Sequence, residues 1–296
     1  MATIDAGHGD ATALPASEAR TFQLVAWLDG FRLAFLIALT LIVLGPLVQI
    51  LLISTLDTVE VVQDDWVLWP PNLDSFVRAW TGVPFPRYFL NSLIITLAVT
   101  VGSTITAVMA AYVFSRAVFP GRDVLFLLVL GTLMIPNHVT LIPNYLTFAH
   151  FRMLDTFVAL ILPFLASGFS VFFLRQFMMG IPKSLDEAAV LDGAGRWKIL
   201  WTIIVPLSWP AIVVVSLFAF MSSWNEFIWP LLATTSEDMR TVQVGLRYLL
   251  RDEGTASIPD WPLVMAGTMI TLAPLLVVYV VAERHLIRGI TMGSFR

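Results

Sequence analysis

The chain has 296 residues, of which 58% are hydrophobic and 13% are charged, and it contains no cysteine. Soluble domains carry roughly 25% charged residues, so this composition disfavours a soluble enzyme. Without cysteine, disulfides and Cys-ligated metal or redox sites are excluded. The net charge of −4 and the lack of a basic cluster give no indication of nucleic-acid binding.

The first thirty residues are small, polar and mixed in charge. They lack the basic start, apolar core and small-residue cleavage site of a secretory signal peptide. We therefore predict a short tail over residues 1–30 and a single membrane domain over residues 31–296.

Six segments are long and apolar enough to cross a membrane, which requires about 20 predominantly apolar residues. They are residues 33–53, 90–114, 124–142, 154–173, 205–229 and 263–282, and Pro136 interrupts the third. The predicted fold is an all-α membrane protein with six transmembrane helices. A polar stretch, residues 182–206, separates the fourth and fifth segments.

The distribution of basic residues predicts the orientation, because Lys and Arg concentrate on the cytoplasmic side. With a cytoplasmic N-terminus, eleven of the 17 Lys and Arg residues face the cytoplasm, including those near residues 182–206. Both termini and the 182–206 stretch are then cytoplasmic. The long 233–262 loop is outside, where Val242, Leu246, Leu249 and Leu250 lie on one face of a short predicted helix.

The polar stretch contains signals for a short helix. Ser184 precedes Glu187 by three residues, the spacing of a capping box. We predict a helix of about two turns from Ser184 to a bend at Gly193. Its small alanines would let another protein approach the backbone closely. A helix resting on lipid headgroups, anchored by Trp197 and Trp201, explains the same features, and physical reasoning alone leaves both open.

At these residues the chain resembles a known family. Glu187-Ala188-Ala189, three residues, Gly193, nine residues, Ile203, and Pro206 three positions later reproduce the spacing of the EAA loop of ATP-binding-cassette importer permeases. The one departure is Val205, where leucine is usual. The stretches "MIPNHVTLIPNYLTFAHFRMLDT" and "SSWNEFIWPL" are similar to the carbohydrate-uptake branch, specifically to the second membrane subunit of the maltose-type importers.

The resemblance implies a type I importer permease fold in a bacterial or archaeal cytoplasmic membrane. It implies that the EAA loop, residues 182–206, contains a coupling helix that docks on a separate ATPase subunit. The residues implied in this coupling are Glu187, Ala188, Ala189, Asp192 and Gly193. The implied partners are a second permease subunit, two ATPase subunits or an ATPase homodimer, and an extracytoplasmic solute-binding protein that the 233–262 loop would reach. ATP and Mg²⁺ would bind to the ATPase, and this chain would hold no cofactor.

Polar residues within the predicted spans are candidates for a substrate path, since such groups tend to face the interior of a helix bundle. They are Asn91, Asn137, His138, Asn144, Trp224, Asn225 and Glu226. A stripe of small residues from Thr96 to Ala107 is either a helix-packing seam or a pore wall. Asn137 either contacts sugar hydroxyls or satisfies the backbone that Pro136 frees. Trp224 offers a flat face for a sugar ring, and a structural role for this segment remains the alternative.

The chain contains no Walker sequence and no HExxH motif, so we predict a non-catalytic subunit without a metal site. Two rival classes lack support: an ion-coupled transporter needs carboxylates within the spans, and an intramembrane enzyme needs a nucleophile or metal ligands there. A closer alternative is a permease for a phosphorylated polyol such as glycerol-3-phosphate. That cargo requires a cation near the pore, for which Arg175 and His138 are the candidates.

Overall fold

The computed structural model describes the backbone of residues 16–64, 66, 69–250 and 259–293. It describes the side chains of residues 29–64, 66, 69–136, 138–250 and 259–283. Regular structure in these ranges is entirely helical.

Fifteen α-helices follow one another along the described chain. They are α1 (Ala16–Ile53), α2 (Thr58–Gln63), α3 (Asp74–Thr81), α4 (Phe85–Arg116), α5 (Arg122–Thr132), α6 (Leu141–His150), α7 (Phe157–Ile161), α8 (Gly168–Met179), α9 (Ser184–Leu191), α10 (Arg196–Ile199), α11 (Val205–Leu207), α12 (Trp209–Trp224), α13 (Ile228–Ala233), α14 (Val242–Leu249) and α15 (Trp261–Gly293). Short 3₁₀ turns occupy Asn137–Thr140, Leu162–Phe164 and Glu237–Met239, and a π turn occupies Leu200–Ile204.

The chain separates into two units at the junction of Leu52 and Ile53. The first unit contains α1, which begins at Ala16 and thus enters the segment predicted as a tail. Its stretch Asp29–Ile53 is long and apolar enough to cross a membrane and covers the first predicted span. The predicted tail before Ala16 lies outside the described residues. All other helices belong to the second unit.

Three described helical stretches pass the length and composition test for a membrane span: Asp29–Ile53, Phe85–Arg116 and Trp261–Glu283. Two bent pairs raise the number to five if each pair is one span: Phe157–Phe164 with Gly168–Met179, and Arg196–Leu207 with Trp209–Trp224. The predicted number of six is therefore not confirmed by the helices alone, and it stays a prediction.

The third predicted span, residues 124–142, is not one helix in the structure. Helix α5 ends at Thr132, a 3₁₀ turn follows Pro136, and α6 begins at Leu141. Proline has no N–H to donate and disfavours helical backbone in the residue before it. The break at Pro136 therefore divides the predicted span into two shorter helices.

The fifth predicted span, residues 205–229, also differs from the structure. Arg196–Leu207 meets Trp209–Trp224 at 81°, and α12 ends at Trp224 instead of continuing to residue 229. The bend lies at Ser208, between Pro206 and Pro210. Because Pro210 cannot donate a hydrogen bond to the preceding turn, a straight helix cannot pass through this point.

Helix α4 is central to the second unit and packs against α8 and α12. The small-residue stripe of α4 faces its neighbours: Thr96, Ser103 and Ala107 are buried. The hydroxyls of Thr104 and Ser216 lie 3.0 Å apart and join α4 to α12. Small side chains allow such close helix approach, so the stripe packs against neighbouring helices, and Thr96 also lines a small cavity.

Candidate functional site

Helix α9, hereafter the EAA helix, begins where the sequence predicts it but without the predicted capping box. The backbone N–H of Glu187 donates to the carbonyl of Lys183 at 3.1 Å, so Lys183 is the N-cap residue and Ser184 is already helical. No side chain caps this end. The helix starts one residue earlier than a Ser184 cap would place it, because the carbonyl of Lys183 accepts the first helical hydrogen bond.

The EAA helix ends at a glycine turn, as the sequence predicts. Gly193 has a φ of 77°, in the left-handed region that glycine adopts without steric cost. The N–H of Gly193 donates to Val190 at 2.9 Å, and that of Ala194 donates to Ala189 at 2.9 Å. These two bonds form a Schellman motif, which satisfies the last carbonyls of the helix and reverses the chain toward α10.

One side of the EAA helix packs inside the chain and the other is exposed. Ala189 is only 8% exposed and belongs to an apolar cluster with Ala107 and Leu174. Of the residues implied in coupling, Ala189 therefore does not offer its methyl group to a partner, because that group packs in a cluster with residues of α4 and α8. Glu187, Ala188, Asp192 and Gly193 are exposed.

The exposed side also carries apolar side chains that the sequence analysis did not single out. Leu191 is 88% exposed, and Leu185 and Val190 are exposed as well. Val190 and Leu191 lie at helix positions away from the buried Ala189, whereas Leu185 precedes Ala189 by four residues and lies on the same side. The presence of these apolar residues in a polar loop was the sequence signal. Together with Ala188 they form a small apolar surface beside the Glu187 carboxylate.

The EAA helix is attached to the end of α4. Nε of Arg116 lies 2.7 Å from Oδ2 of Asp186, and both side chains are largely buried. The contact is an ion pair and not a hydrogen bond, because Nε of Arg116 has no aligned acceptor. Nη2 of Arg116 also donates to the carbonyl of Ile181 at 3.0 Å.

Trp224 does not offer the open face predicted for a sugar ring. It is 1% exposed, lies parallel to Phe220 at 5.9 Å and has the edge contact of Phe89 at 5.5 Å. Its indole N–H donates to the carbonyl of Thr271 at 3.1 Å. Neighbouring residues thus contact both the ring and the indole nitrogen of Trp224. In this conformation the side chain stabilises the packing of the helices.

Three other candidates for the substrate path, Asn91, Asn225 and Glu226, differ in exposure, and the side chain of each makes a hydrogen bond. Asn91 is buried, and its Nδ2 donates to the carbonyls of Asp238 at 2.7 Å and Arg240 at 2.9 Å. Asn225 is exposed and donates to Met221 within its own helix. Oε1 of Glu226 accepts the backbone N–H of Trp229 at 3.0 Å.

A small cavity lies beside Glu226. It has room for about one water molecule, and its lining combines the polar residues Thr96, Ser223, Glu226 and Thr241 with apolar residues that include Trp224. The remaining candidates do not line it: His138 is exposed and Asn144 is half-buried on the segment after Pro136. The side chain of Asn137 lies outside the described residues. Among the described residues, no group of three His, Asp or Glu side chains lies close enough to hold a metal ion.

The first part of the 233–262 loop, up to residue 242, is fixed by several polar contacts. Oδ1 of Asp155 accepts the backbone N–H groups of Thr235 at 3.0 Å and Ser236 at 3.1 Å. Burial acts to raise the pKa of Asp155, but these hydrogen bonds outweigh it and the pKa is lowered. Oγ of Ser92 accepts the N–H of Val242 at 2.8 Å, at the start of α14.

Helix α14 packs into the second unit. Val242, Val244, Gly245 and Leu249 are buried, so the buried side matches the predicted face at Val242 and Leu249. Leu250 is 44% exposed and follows the last helical residue. The guanidinium of Arg240 lies 4.0 Å from the ring centroid of Tyr248, so a cation–π contact joins the residues before α14 to the helix itself.

Comparison with known proteins gives consistent results. Residues 102–291 match the family described as "Binding-protein-dependent transport system inner membrane component". The chain is 34% identical to the sn-glycerol-3-phosphate transport system permease protein UgpE of Yersinia pestis bv. Antiqua, over 89% of this chain and 96% of that protein. It is 30% identical to the arabinooligosaccharides transport system permease protein AraQ of Halalkalibacterium halodurans, over 94% and 99%.

The fold also matches a solved structure. The crystal structure of a bacterial ABC transporter involved in the import of the acidic polysaccharide alginate contains a chain that aligns with a TM-score of 0.78 and 23% identity. The alignment covers 92% of this chain and 99% of that chain. At this level of identity the match establishes the fold.

Proposed function

Because the chain belongs to the family of binding-protein-dependent transport system inner membrane components, we propose that it is one permease subunit of an ATP-driven importer of carbohydrate. Family membership confirms the resemblance at the EAA loop. The chain is a multi-pass membrane protein whose relatives are transport permeases. The name of the AraQ relative and the alginate importer of the same fold support a carbohydrate as the cargo.

The exposed side of the EAA helix is the observation that carries this proposal. An eight-residue helix with apolar Ala188, Val190 and Leu191 beside Glu187 presents a surface that the described part of the chain leaves uncovered. Interfaces between proteins combine such a small apolar centre with a polar rim. We propose that this side docks on the ATPase, with Glu187 and Asp192 at its rim, and that the Gly193 turn sets its exit toward α10.

The remaining assembly follows from the same proposal. The chain would have six spans, with both termini cytoplasmic and the 233–262 loop outside, in a bacterial or archaeal membrane. It would pair with a second permease subunit, two ATPase subunits and a solute-binding protein. A neighbour of the same fold was crystallised in complex with an alginate pentasaccharide-bound periplasmic protein, which supports this last partner. ATP and Mg²⁺ would bind to the ATPase, so this subunit would not be catalytic.

A phosphorylated polyol is the second candidate cargo, because the UgpE relative is named for sn-glycerol-3-phosphate. The structure offers little to hold a phosphate. The Arg175 guanidinium lies 3.9 Å from the centroid of Phe126, and its Nε donates to the carbonyl of Phe114 at 3.3 Å. Its contacts therefore lie within the helix packing. His138 is exposed on the turn after Pro136, and among the described residues its side chain has no hydrogen bond, unlike that of Arg175.

For the substrate path, we propose the space beside Glu226, which would have to widen from about the size of one water molecule before a sugar could enter. Its hydroxyl groups and single carboxylate can donate to and accept from a neutral sugar. The segment with Asn137, His138 and Asn144 remains a second proposed part of the path. Asn91 and Trp224 are better explained as residues that hold the structure around it.

The docking proposal is tested by reversing the charge at Glu187. We expect Glu187→Lys to abolish uptake and recovery of the ATPase with the purified chain, while the chain still accumulates in the membrane. Asp123→Lys is the matched control, because that carboxylate is exposed near the same end of α4. Normal uptake by Glu187→Lys would contradict the proposal.

The cargo is tested on the solute-binding protein recovered with the complex. We expect an arabinooligosaccharide or another neutral sugar to raise its thermal midpoint, and glycerol-3-phosphate to leave it unchanged. The opposite pattern would establish the phosphorylated polyol as the cargo.

A further inference from the structure

Helix α4 joins the two elements to which the proposed function assigns partners. It is one continuous helix of 32 residues and is therefore about 48 Å long. Its C-terminal end contacts the EAA loop, and its N-terminal end contacts the 233–262 loop. No other side-chain bonds described for the second unit join both loops to one helix.

At its C-terminal end, α4 holds the EAA loop on both sides of the EAA helix. Arg116, its last residue, pairs with Asp186 and donates to the carbonyl of Ile181. One turn earlier, the hydroxyl of Tyr112 donates to the carbonyl of Arg196 at 3.3 Å, after the Gly193 turn. A displacement of the EAA helix therefore acts directly on the last turn of α4.

At its N-terminal end, α4 holds the 233–262 loop through three neighbouring residues. Tyr88 donates to Oε1 of Glu237 at 3.0 Å, Asn91 donates to two carbonyls, and Ser92 accepts from Val242. Hydrogen bonds to backbone atoms fix the path of the loop and not merely a side chain. The position of the loop between Glu237 and Val242 is therefore fixed relative to α4.

The Arg116–Asp186 pair has features that a simple stabilising contact does not need. Within the described chain, Nη1 of Arg116 and Oδ1 of Asp186 are buried without a hydrogen-bond partner. Burying two charges is costly, and apolar replacement of such a pair is often neutral or stabilising. What the pair does supply is a fixed direction between the EAA helix and α4.

We propose that Arg116 and Asp186 are positioning residues that transmit movement of the EAA helix to α4, and through α4 to the 233–262 loop. This inference rests on the proposed function, since it needs an ATPase that moves the EAA helix. Without the pair, the EAA helix still binds the ATPase, but its movement no longer displaces α4.

The lack of cysteine permits a direct test with one introduced thiol. Thr235→Cys places it at an exposed position of the 233–262 loop. The complex recovered from native membranes is labelled with a fluorescent maleimide, with and without Mg-ATP plus orthovanadate. We expect nucleotide to change the labelling rate by about tenfold, within the range of coupling typical between two sites of one protein.

The decisive variant is Arg116→Met/Asp186→Leu on this background. We expect it to retain the ATPase and to lose the nucleotide-dependent change in labelling. Arg122→Met/Asp123→Leu is the control, because it removes an ion pair of 2.9 Å between neighbouring residues of α5, together with the bond from Arg122 to the carbonyl of Ala117 at the end of α4. It is expected to respond like the parent. Arg116→Lys, which keeps the charge but not the second nitrogen that reaches Ile181, is expected to respond partially even if the double variant does not fold.

Three results would overturn the inference. A full nucleotide response in the double variant, or in Arg116→Lys without any reduction, would show that the pair transmits nothing. A parent complex that contains the ATPase but shows no response at position 235 would show that the loop does not follow. A parent chain that recovers no ATPase would instead overturn the proposed function, and this inference with it.

Discussion

The EAA helix and α14 have the same length of eight residues, but the described chain buries them to different extents. Helix α14 buries four residues, Val242, Val244, Gly245 and Leu249. The EAA helix buries Ala189 alone and leaves Leu191 almost fully exposed. The difference is consistent with the proposal that another protein covers the EAA helix, whereas α14 is already packed within the described chain.

The polar contacts of the two regions differ in kind. The loop before α14 is held by hydrogen bonds with Asn91, Ser92 and Asp155, although Oδ1 of Asn91 has no partner among the described residues. The EAA helix is held to α4 by the Arg116–Asp186 ion pair, in which Nη1 of Arg116 and Oδ1 of Asp186 have no hydrogen-bond partner within the described chain. Both regions are thus attached to α4, by hydrogen bonds in the first and by an ion pair in the second.

The largest expected effect is at the exposed side of the EAA helix. Leu191→Asp should reduce ATPase recovery with the chain more than tenfold, because burying a leucine contributes about 1.5–3 kcal/mol and each 1.4 kcal/mol changes affinity about tenfold. Recovery is measured by quantitative mass spectrometry after affinity purification. Val118→Asp is the control, since Val118 is 94% exposed just beyond the end of α4. Equal recovery in the two variants would show that the exposed side of the EAA helix does not bind the ATPase.

The next effect concerns the packed region. Asn91→Leu leaves two carbonyls without their donor and should cost about 1–3 kcal/mol, the penalty of unsatisfied buried groups. We expect faster cleavage of the 233–262 loop in limited proteolysis and a lower thermal midpoint. Thr147→Val is the control, because that hydroxyl bonds only within its own exposed helix. Unchanged cleavage would show that α4 does not hold this loop.

A comparison of two glycines sharpens the account of the EAA helix. Gly193→Ala should destabilise the turn by about 1–2 kcal/mol, because a side chain in the left-handed region meets the following carbonyl. Gly195→Ala should have little effect, since its φ is −75° and neither glycine has a neighbour within 4 Å of an added Cβ. Hydrogen exchange at the EAA helix measures the difference. Equal exchange in both variants would refute the role of backbone conformation.

The smallest expected effect is the pH dependence of the loop contact at Asp155. Its folded-state pKa is lowered, so its stabilising contribution is complete above the unfolded pKa of about 3.9 and is lost as the pH falls below that value. Asp155→Asn should flatten the fall in thermal midpoint between about pH 5 and pH 3. Asparagine tolerates the positive φ of this position, so the backbone should be preserved. An unchanged pH profile would contradict the assignment.

Sequence patterns predicted the local features of the EAA loop because these depend on neighbouring residues. The start near Ser184 and the turn at Gly193 both follow from residues within one helical turn. The inward position of Ala189 could not be predicted in this way. It depends on how α4 and α8 approach the helix, and the exposed Leu191 reverses the usual relation between hydrophobicity and burial.

The substrate path was the least predictable part. Asn91 bonds to residues about 150 positions away, and the indole of Trp224 bonds to Thr271 on another helix. Residue type indicated polar or aromatic chemistry, but only the packing shows that these side chains are already engaged. The 81° bend at Ser208 likewise depends on two prolines whose combined effect hydropathy does not record.

The central claim is that another protein covers the exposed side of the EAA helix, and one crosslinking experiment tests it directly. Ala188→Cys introduces the only thiol of the chain at the exposed alanine, and Val118→Cys is the matched control. Each is coupled to a photoreactive maleimide in native membranes, and the products are identified by mass spectrometry. The account predicts an ATPase subunit crosslinked at position 188 and not at position 118. Lipid adducts alone at position 188 would contradict it and would assign the EAA helix to the membrane surface.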